Sequence, residues 1–443
     1  MTTLYWAVAG ALLLASSALT FLMLRRHLEL WIGAQYFITF AWVGASVLYI
    51  EQGIFIVEQW EYSHMNGATL LHLAVSGIFL ISFGAAVLGI ARATPRIGHG
   101  KALDSQAMIL FVGAALAMVV LLLNAALSPL PFFNTELDRF DFWRLSRFPF
   151  LQSLFGNTAT VLVFAFGLAY VRARAAGASG LARACQAATI VYYVYLILIG
   201  HAFSALLTAT IVVLIPVLAV GPEPRFSRIP RRFVVGLALL CSVMIGFKLW
   251  QYYARFNPYA RTLRLNPVQA LTYRALGLQG HVWWGVVEQR MHEGAPPELN
   301  VGRLKDGMPH LMRTVGHRIT TRSLERGVSF TTGYPAILLL LLPVWAIPVL
   351  QIVAGIVAGA LAGITIALAR TGHLLLSAVS LQLTLWLQYC LVMGSFSRLL
   401  SASFLGGLGI LALGWLVTRL ATKTRTPGAP QPASAVYSIR RSA

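Results

Sequence analysis

The chain has 443 residues, of which 58% are hydrophobic and only 11% are charged, and its formal net charge is +20. A soluble globular protein carries about 25% charged residues, so this composition excludes that class and indicates a polytopic helical membrane protein. The apolar runs approach the roughly 20 residues that cross a bilayer and are too continuous for outer-membrane barrel strands. Nucleic acid is excluded as a partner because the basic residues are not gathered into one soluble domain.

Apolar segments taken in chain order predict an all-α fold with about eleven transmembrane helices, forming a single transmembrane domain over residues 1–420. The first segment has no basic residue before it and Arg25 and Arg26 after it. A secretory signal has the opposite polarity, so we interpret this segment as a retained span with its N-terminus outside. The predicted spans are 5–24, 30–50, 68–91, 107–127, 155–171, 185–200, 203–220, 233–249, 347–369, 373–396 and 403–420.

Charged residues predict the orientation of these spans. Short arginine-rich loops fall on one side together with Arg370, and the positive-inside rule makes that side cytoplasmic. The acidic turn that holds Glu51, Glu58 and Glu61 falls on the other side. The tail over 421–443 is rich in Pro, Ala and Ser and basic at its end, which predicts a disordered cytoplasmic terminus.

Two predicted outer loops are long, at about 128–156 and 251–333. The second holds eleven Lys and Arg against five Asp and Glu, and loops of this length are often functional. The first contains Asp138 and Arg139 within DRFDFWR, a mixture of charged and aromatic residues that suits phosphate, sugar faces or lipid headgroups equally. His201 stands in GHAFS, a tight outer turn, as either a functional or a structural histidine.

The second loop begins with a predicted helix over 267–292. Asn266 is a good N-cap, Pro267 suits the first helical position, and Gly294 is a plausible stop. The helix is therefore expected to be continuous and to rest at the outer membrane surface.

Polar residues on this helix repeat every seven positions. Arg274, His281 and Glu288 would share one face, turned inward to a cavity. Trp283 and Trp284 would lie to one side, where amphipathic rings favour the membrane surface. The alternative is an ordinary amphipathic helix with solvated charges.

A second basic cluster follows in HRITTRSLERGVSFTTGYPA. Arg318, Arg322 and Arg326 repeat every four residues, so a helix would place three guanidinium groups in one strip, suited to bidentate bonds with phosphate. The alternative is a basic strip that contacts lipid headgroups. The apolar run 336–347 is broken by proline and too short for a full span, which predicts a half-helix or re-entrant segment that lines a protein cavity.

Several motifs are absent from the sequence. Almost no Asp or Glu lies within a predicted span, which argues against a proton- or sodium-coupled transporter. There is no G-x-x-x-x-G-K-[ST] loop, which argues against an ATPase. Cys185, Cys241 and Cys390 have neither disulfide nor metal spacing, so no metal site is predicted.

The segments YRALGLQGHVWW, ERGVSFTTGYPA, DRFDFWR and GHAFS, together with the topology, resemble bacterial O-antigen polymerases of the Wzy type. That family carries an Arg-x10-Gly motif in its periplasmic loops, and the pairs Arg274–Gly285 and Arg322–Gly333 fit its spacing. The first large loop departs from the pattern, because Arg139 has no glycine eleven residues later.

The resemblance implies an activity. It is the transfer of a growing polysaccharide from one undecaprenyl diphosphate carrier to the sugar of another, at the periplasmic face of the bacterial inner membrane, without metal or other cofactor. The implied partners are the lipid-linked glycan, the bilayer and a chain-length regulator protein. Alternatives are an O-antigen ligase or a protein O-oligosaccharyltransferase, and, in another class, a lipid-linked oligosaccharide flippase. A flippase would carry basic residues along a central cavity, whereas the arginines without a topological role here concentrate at one face.

The implied chemistry assigns roles to the candidate residues. A diphosphate leaving group without a metal needs fixed cations, and an acceptor hydroxyl needs a base. His281 is the first choice for the base and Glu288 is the alternative. Trp283, Trp284, Asp138 and His201 are candidates for sugar or lipid contacts, and the expected diphosphate-binding residues are Arg274, Arg318, Arg322, Arg326 and Arg139.

Overall fold

The structure is a computed structural model. It describes residues 2–96, 105–134, 137, 139–155, 159–201, 203–221, 235–236, 238–239, 242–243, 246, 272–316 and 333–423. Within these ranges the chain is almost entirely helical, and one short antiparallel pair joins β1 (Phe55–Ile56) to β2 (Glu61–Tyr62). The all-α prediction is therefore confirmed.

The α-helices are long in the first half and at the end of the chain, apart from two short helices within 139–155, and they are short around 272–341. Within the described residues, six further segments are 3-10 or π turns, at Leu28–Gly33, Pro216–Val220, Tyr273–Gly277, Glu288–His292, Val301–Lys305 and Ser397–Leu400. The α-helices are α1 (Thr2–Arg26), α2 (Ala34–Ile50), α3 (Ala68–Arg92), α4 (Ser105–Ala126), α5 (Arg139–Leu145), α6 (Leu151–Phe155), α7 (Thr160–Ala175), α8 (Ser179–Leu198), α9 (Phe203–Ile215), α10 (His281–Val287), α11 (Met308–Val315), α12 (Ala336–Leu341), α13 (Ala346–Thr371), α14 (Leu374–Met393) and α15 (Ala402–Lys423).

Seven helices of the described part of the chain are long and apolar enough to cross a bilayer, which confirms a helical membrane protein. Two shorter apolar helices lie at 204–220 and 402–417. Ten of the 17 residues of the predicted span at 233–249 lie outside the described residues, so the expected total of eleven spans stays a prediction.

Close packing of α3 against α13 forms the centre of the bundle. Gly355 and Gly359 face the backbone of α3, and a Cβ atom on Gly355 would stand 2.6 Å from the Phe79 carbonyl oxygen. A Cβ atom on Gly359 would meet the Phe83 carbonyl oxygen in the same way. Small residues let membrane helices approach closely, because packing rather than water exclusion drives their association.

One end of the bundle is tied together by a buried arginine. The Arg370 side chain is only 2% exposed and donates hydrogen bonds to the carbonyl oxygens of Ala91 and Ala219 and, at 2.9 Å, to Glu29. Arg96 donates to the same Glu29 oxygen. These contacts join the ends of α3 and α13 to the segments that precede α2 and follow α9, and we call this the Arg370 end.

The opposite end contains the loop 51–67, the segment 272–316 and α12, and we call it the Glu51 end. All six residues of α12 are buried, and the helix stops before Pro343, after which α13 begins. The predicted short helix broken by proline is thus present. Its burial agrees with the expectation that a short apolar helix of this kind is enclosed by protein.

Candidate functional site

The predicted continuous helix over 267–292 is wrong where the structure describes it. Residues 273–277 form a π turn, 278–280 a turn outside the regular helical hydrogen-bond pattern, 281–287 the helix α10, and 288–292 a second π turn.

Side chains of α2 explain the interruption. Trp42 Nε1 donates to the Ala275 carbonyl at 2.7 Å, and the Ser46 hydroxyl donates to the Leu276 carbonyl. A Cβ atom on Gly280 would stand 2.8 Å from the Ser46 oxygen and the Val47 nitrogen, so this turn requires glycine. Because backbone carbonyls that would continue a helix bond to α2 instead, the helical ladder ends and restarts at α10.

The adjacent tryptophans lie inside the protein, unlike the predicted position at the membrane surface. Both side chains are 1% exposed. Trp283 Nε1 donates to the Ala68 carbonyl at 2.8 Å and Trp284 Nε1 to the His64 carbonyl at 2.9 Å. Each indole therefore buries its ring and satisfies its single donor, and the pair fixes α10 against the start of α3.

His281 is also buried, at 1% exposure. Its Nδ1 lies 2.9 Å from the Leu278 carbonyl oxygen. Because a carbonyl only accepts, Nδ1 carries the proton and Nε2 is the basic nitrogen. Burial lowers the pKa of His281, while the carboxylate of Glu58 opposes this effect. The imidazole is therefore held neutral and close to the turn that begins α10.

Glu288, at the other end of α10, belongs to a polar cluster. Its Oε1 lies 3.2 Å from His64 Nε2, and its Oε2 accepts from Asn66 Nδ2 at 2.9 Å. The Asn66 carbonyl in turn accepts from His292 Nε2 at 3.0 Å. The Glu288 side chain is 15% exposed and that of His64 is 56% exposed. A shielded carboxylate thus orients an accessible imidazole.

A second carboxylate extends this cluster inward. Glu51 accepts from the Tyr5 hydroxyl at 2.8 and 2.9 Å, from Thr69 Oγ1 at 2.5 Å and from the Asn66 backbone at 3.4 Å. We call Tyr5, Glu51, His64, Asn66, Thr69, Glu288 and His292 the outer polar cluster. Asn66 bonds to both carboxylates, so it couples the position of Glu51 to that of Glu288.

A third carboxylate holds the start of the segment. Glu58 accepts from the Tyr273 hydroxyl, and the Val57 backbone N–H donates to the same hydroxyl at 3.0 Å. Burial, followed by the charge of Glu58, raises the pKa of Tyr273. The phenol therefore stays protonated and serves as a structural donor.

An aromatic cavity lies beneath α10, with about 620 Å³ of empty space, part of it open to the surroundings. Helices α2, α3, α13 and α14 form its walls, and Trp283 lies at its boundary. His72 donates from Nε2 to the Phe40 carbonyl at 3.0 Å and pairs through Nδ1 with Ser76, so it is a satisfied neutral residue. The described lining residues are Tyr36, Thr39, Phe40, Val43, His72, Ser76, Phe79, Leu80, Trp283, Tyr334, Pro335, Gln351, Leu391 and Val392.

The predicted cationic residues are only partly covered by the structure. Arg274 lies in the first π turn and Arg139 begins α5, but their side chains are outside the described part, as is the whole of Asp138. Arg318, Arg322 and Arg326 also lie outside the described residues. His201 lies in the turn between α8 and α9, on a different helix pair from α10.

The glycines of the two Arg-x10-Gly matches have a packing role. A Cβ atom on Gly285 would meet the Gln59 amide and stand 3.1 Å from Val315 Cβ. A Cβ atom on Gly333 would meet the Met393 backbone, and the Gly333 N–H donates to the Val392 carbonyl at 2.9 Å. At Gly333 the neighbouring backbone leaves no room for a side chain, whereas at Gly285 a side chain would require the Gln59 amide to move and Val315 to shift slightly.

Sequence reasoning did not identify His64 or Asn66. The available signal was their position in YSHMN, directly after the acidic turn and before an apolar span. Within the described ranges, no group of three or more His, Cys, Asp or Glu side chains is placed to hold a metal ion.

The family DUF6418, described as a family of unknown function, matches residues 302–407. This match covers α11 to α14 and the start of α15, together with the arginine-rich segment 317–332. No curated protein and no solved structure matches the chain.

Proposed function

We propose that the chain is a metal-independent glycosyltransferase that polymerises undecaprenyl-diphosphate-linked oligosaccharide units into O-antigen or a related surface polysaccharide at the periplasmic face. The observation that carries this proposal is that a candidate proton acceptor, His64, lies next to the aromatic cavity. Trp283 lines the aromatic cavity, and the next residue, Trp284, contacts His64, whose imidazole is paired with Glu288.

The His64–Glu288 pair suits the base step better than His281. When Nε2–H of His64 is donated to Glu288, Nδ1 is the basic nitrogen and can accept the proton of an acceptor hydroxyl. The carboxylate then stabilises the imidazolium that forms. His281 is buried and bonded to Leu278, so in this proposal it holds the turn at the start of α10.

The diphosphate-binding role rests on the sequence. Arg274 and Arg322 belong to the outer loop and match the family motif, and guanidinium groups stabilise the charge that develops on a diphosphate leaving group. We expect Arg274→Ala and Arg322→Ala each to abolish long-chain polysaccharide while one-repeat material and protein abundance persist. Arg313→Ala is the control, because Arg313 is an exposed arginine of α11. Near-normal chain lengths in both variants would remove the proposed role.

A matched pair of variants tests the base. Glu298 forms a similar contact with His310, at 2.8 Å, elsewhere in the segment 272–316. With a purified lipid-linked repeat unit, Glu288→Gln should lower turnover about 100-fold, a typical contribution of general base catalysis, and Glu298→Gln should be close to wild type. Equal activity in the two variants would contradict the base assignment.

The same assay tests the proposed activity against a ligase. Ladders formed without lipid A or a protein acceptor support a polymerase over a ligase, and no product from wild-type protein would contradict the proposed activity.

A further inference from the structure

Three polar side chains of the cavity have no hydrogen-bond partner within the described part of the protein. They are the hydroxyls of Tyr36 and Tyr334 and both amide atoms of Gln351. Tyr36 is 8% exposed and Gln351 is 1% exposed. Buried polar groups in native proteins are normally paired, so groups left unpaired around one cavity indicate that something else pairs with them.

The chemistry of the walls restricts what that ligand can be. None of the described residues that line the cavity is charged, so a phosphate there would be a buried anion without a counterion, which is costly. A hydrocarbon tail would suit the aromatic rings but would leave two hydroxyls and an amide unpaired. A ligand with uncharged hydroxyls and flat apolar faces satisfies both features.

The aromatic groups are arranged as fixed walls. Tyr36 and Phe79 meet edge to face with centroids 5.2 Å apart, and Phe79 and Tyr334 do so at 6.2 Å. His72 and Trp283 meet edge to face at 6.2 Å. Because these rings are already packed against each other, their side chains need no further ordering when a ligand binds. Pockets of this kind combine an apolar lining with a few polar groups that orient the ligand.

We propose that this cavity is a sugar subsite, in which Tyr36, Tyr334 and Gln351 bind the hydroxyls of a neutral glycosyl group against the aromatic walls. The identity of that group as part of a lipid-linked substrate rests on the function proposed above. The subsite would lie next to the His64–Glu288 pair, through the adjacent residues Trp283 and Trp284 of α10.

The experiment measures binding of three probes with the same alkyl chain to the full chain in phospholipid nanodiscs, above their partition into empty nanodiscs. The probes are octyl glucoside, octyl phosphate and octanol. Octyl glucoside should bind saturably, and the other two should not. Gln351→Leu should weaken glucoside binding about tenfold, as expected for a lost buried hydrogen bond, without lowering the unfolding temperature of the free protein, because it removes an unpaired buried amide.

Gln382→Leu is the matched control. Gln382 lies on α14, its amide atoms also lack a partner within the described residues, and it does not line the cavity. This variant should bind octyl glucoside like the wild type. Tyr36→Phe should weaken glucoside binding while keeping the ring in place.

Each other outcome overturns the proposal. A cavity filled only by water gives no saturable binding of any probe, a lipid-tail site binds octanol as well as glucoside, and a phosphate site prefers octyl phosphate. Equal loss in Gln351→Leu and Gln382→Leu would mean that the amide acts through the fold. Glucoside binding is measured without turnover, so it is independent of the polymer-ladder assay. Saturable glucoside binding without polymer ladders would contradict the polymerase function alone. Polymer ladders without saturable glucoside binding would contradict the sugar subsite alone.

Discussion

Replacing Arg370 by methionine should strongly destabilise the protein. The guanidinium is almost fully buried and bonds to Glu29 and to the carbonyls of Ala91, Thr94 and Ala219. Removing one partner of a buried ion pair typically costs about 3–5 kcal/mol, because the remaining charge is left uncompensated. Arg96 still contacts Glu29 after the change, so we expect a loss toward the lower end, about 3 kcal/mol.

The assay is reversible unfolding by SDS titration in mixed micelles, and companion variants separate charge from geometry. Arg370→Lys keeps the charge but cannot reach the same set of acceptors, so it should lose about 1–3 kcal/mol. Arg370→Met combined with Glu29→Leu removes both charges and should recover about half of the loss. Arg25→Met removes an exposed basic residue of α1 and should change stability by less than about 0.5 kcal/mol.

Two results would refute this reasoning. A loss below about 1 kcal/mol in Arg370→Met would mean that the arginine is solvated in the membrane protein rather than buried. A double variant no more stable than the single variant would mean that Glu29 does not depend on Arg370. In either case Arg370 would keep only its topological role on the basic side of the bundle.

Two further predictions concern the centre and the Glu51 end. Gly359→Val should lower the free energy of unfolding by about 1–3 kcal/mol, because its Cβ would meet the Phe83 carbonyl. Gly89 lies on the open face of α3, so Gly89→Val should leave the free energy of unfolding nearly unchanged in the same SDS titration. Burial lowers the pKa of His281 below its ordinary value of 6.5. The unfolded chain therefore binds more protons than the folded protein just below pH 6.5. The contribution of His281 to stability is complete above about pH 6.5 and falls as the pH drops toward the folded-state pKa. Thermal melts should therefore depend less on pH between about 6.5 and 5 in His281→Gln than in the wild type, and an unchanged dependence would contradict the neutral buried state.

The helical elements were predictable because apolar length and proline are local signals. A long apolar run requires a spanning helix in lipid, and α3, α13 and α14 lie where such runs predicted them. The end of α12 before Pro343 follows from the loss of a backbone donor and the clash of the ring with the preceding turn. Such rules need no knowledge of neighbours.

The arrangement of the candidate site was not predictable from the same rules. The break before α10 arises because Trp42 and Ser46, more than 200 residues earlier, bond to carbonyls that a helix would use. The position of His64 likewise depends on a residue distant in sequence, because its imidazole contacts the Glu288 carboxylate. Sequence periodicity reports which residues share a face, but it cannot show which distant donor competes for a backbone group. The sequence gives the residue type at each position, but it does not give the hydrogen-bond partner of that residue in the fold.

The Glu51 end carries several carboxylates, and this charge bears on the role of the outer-loop arginines. Burial raises the pKa of Glu61, and so does repulsion by Glu293 and Glu288. The negative potential of these neighbouring carboxylates would attract cations to this end even without substrate. The arginine at 322 would then either pair with carboxylates or remain available for a diphosphate. If it is available, Arg322→Ala should leave the unfolding temperature of the free protein unchanged and abolish the rise caused by added undecaprenyl diphosphate, since a ligand stabilises only the state that binds it. A lowered unfolding temperature of the free variant, restored by Glu61→Gln, would assign this arginine to the carboxylates and remove it from the substrate site.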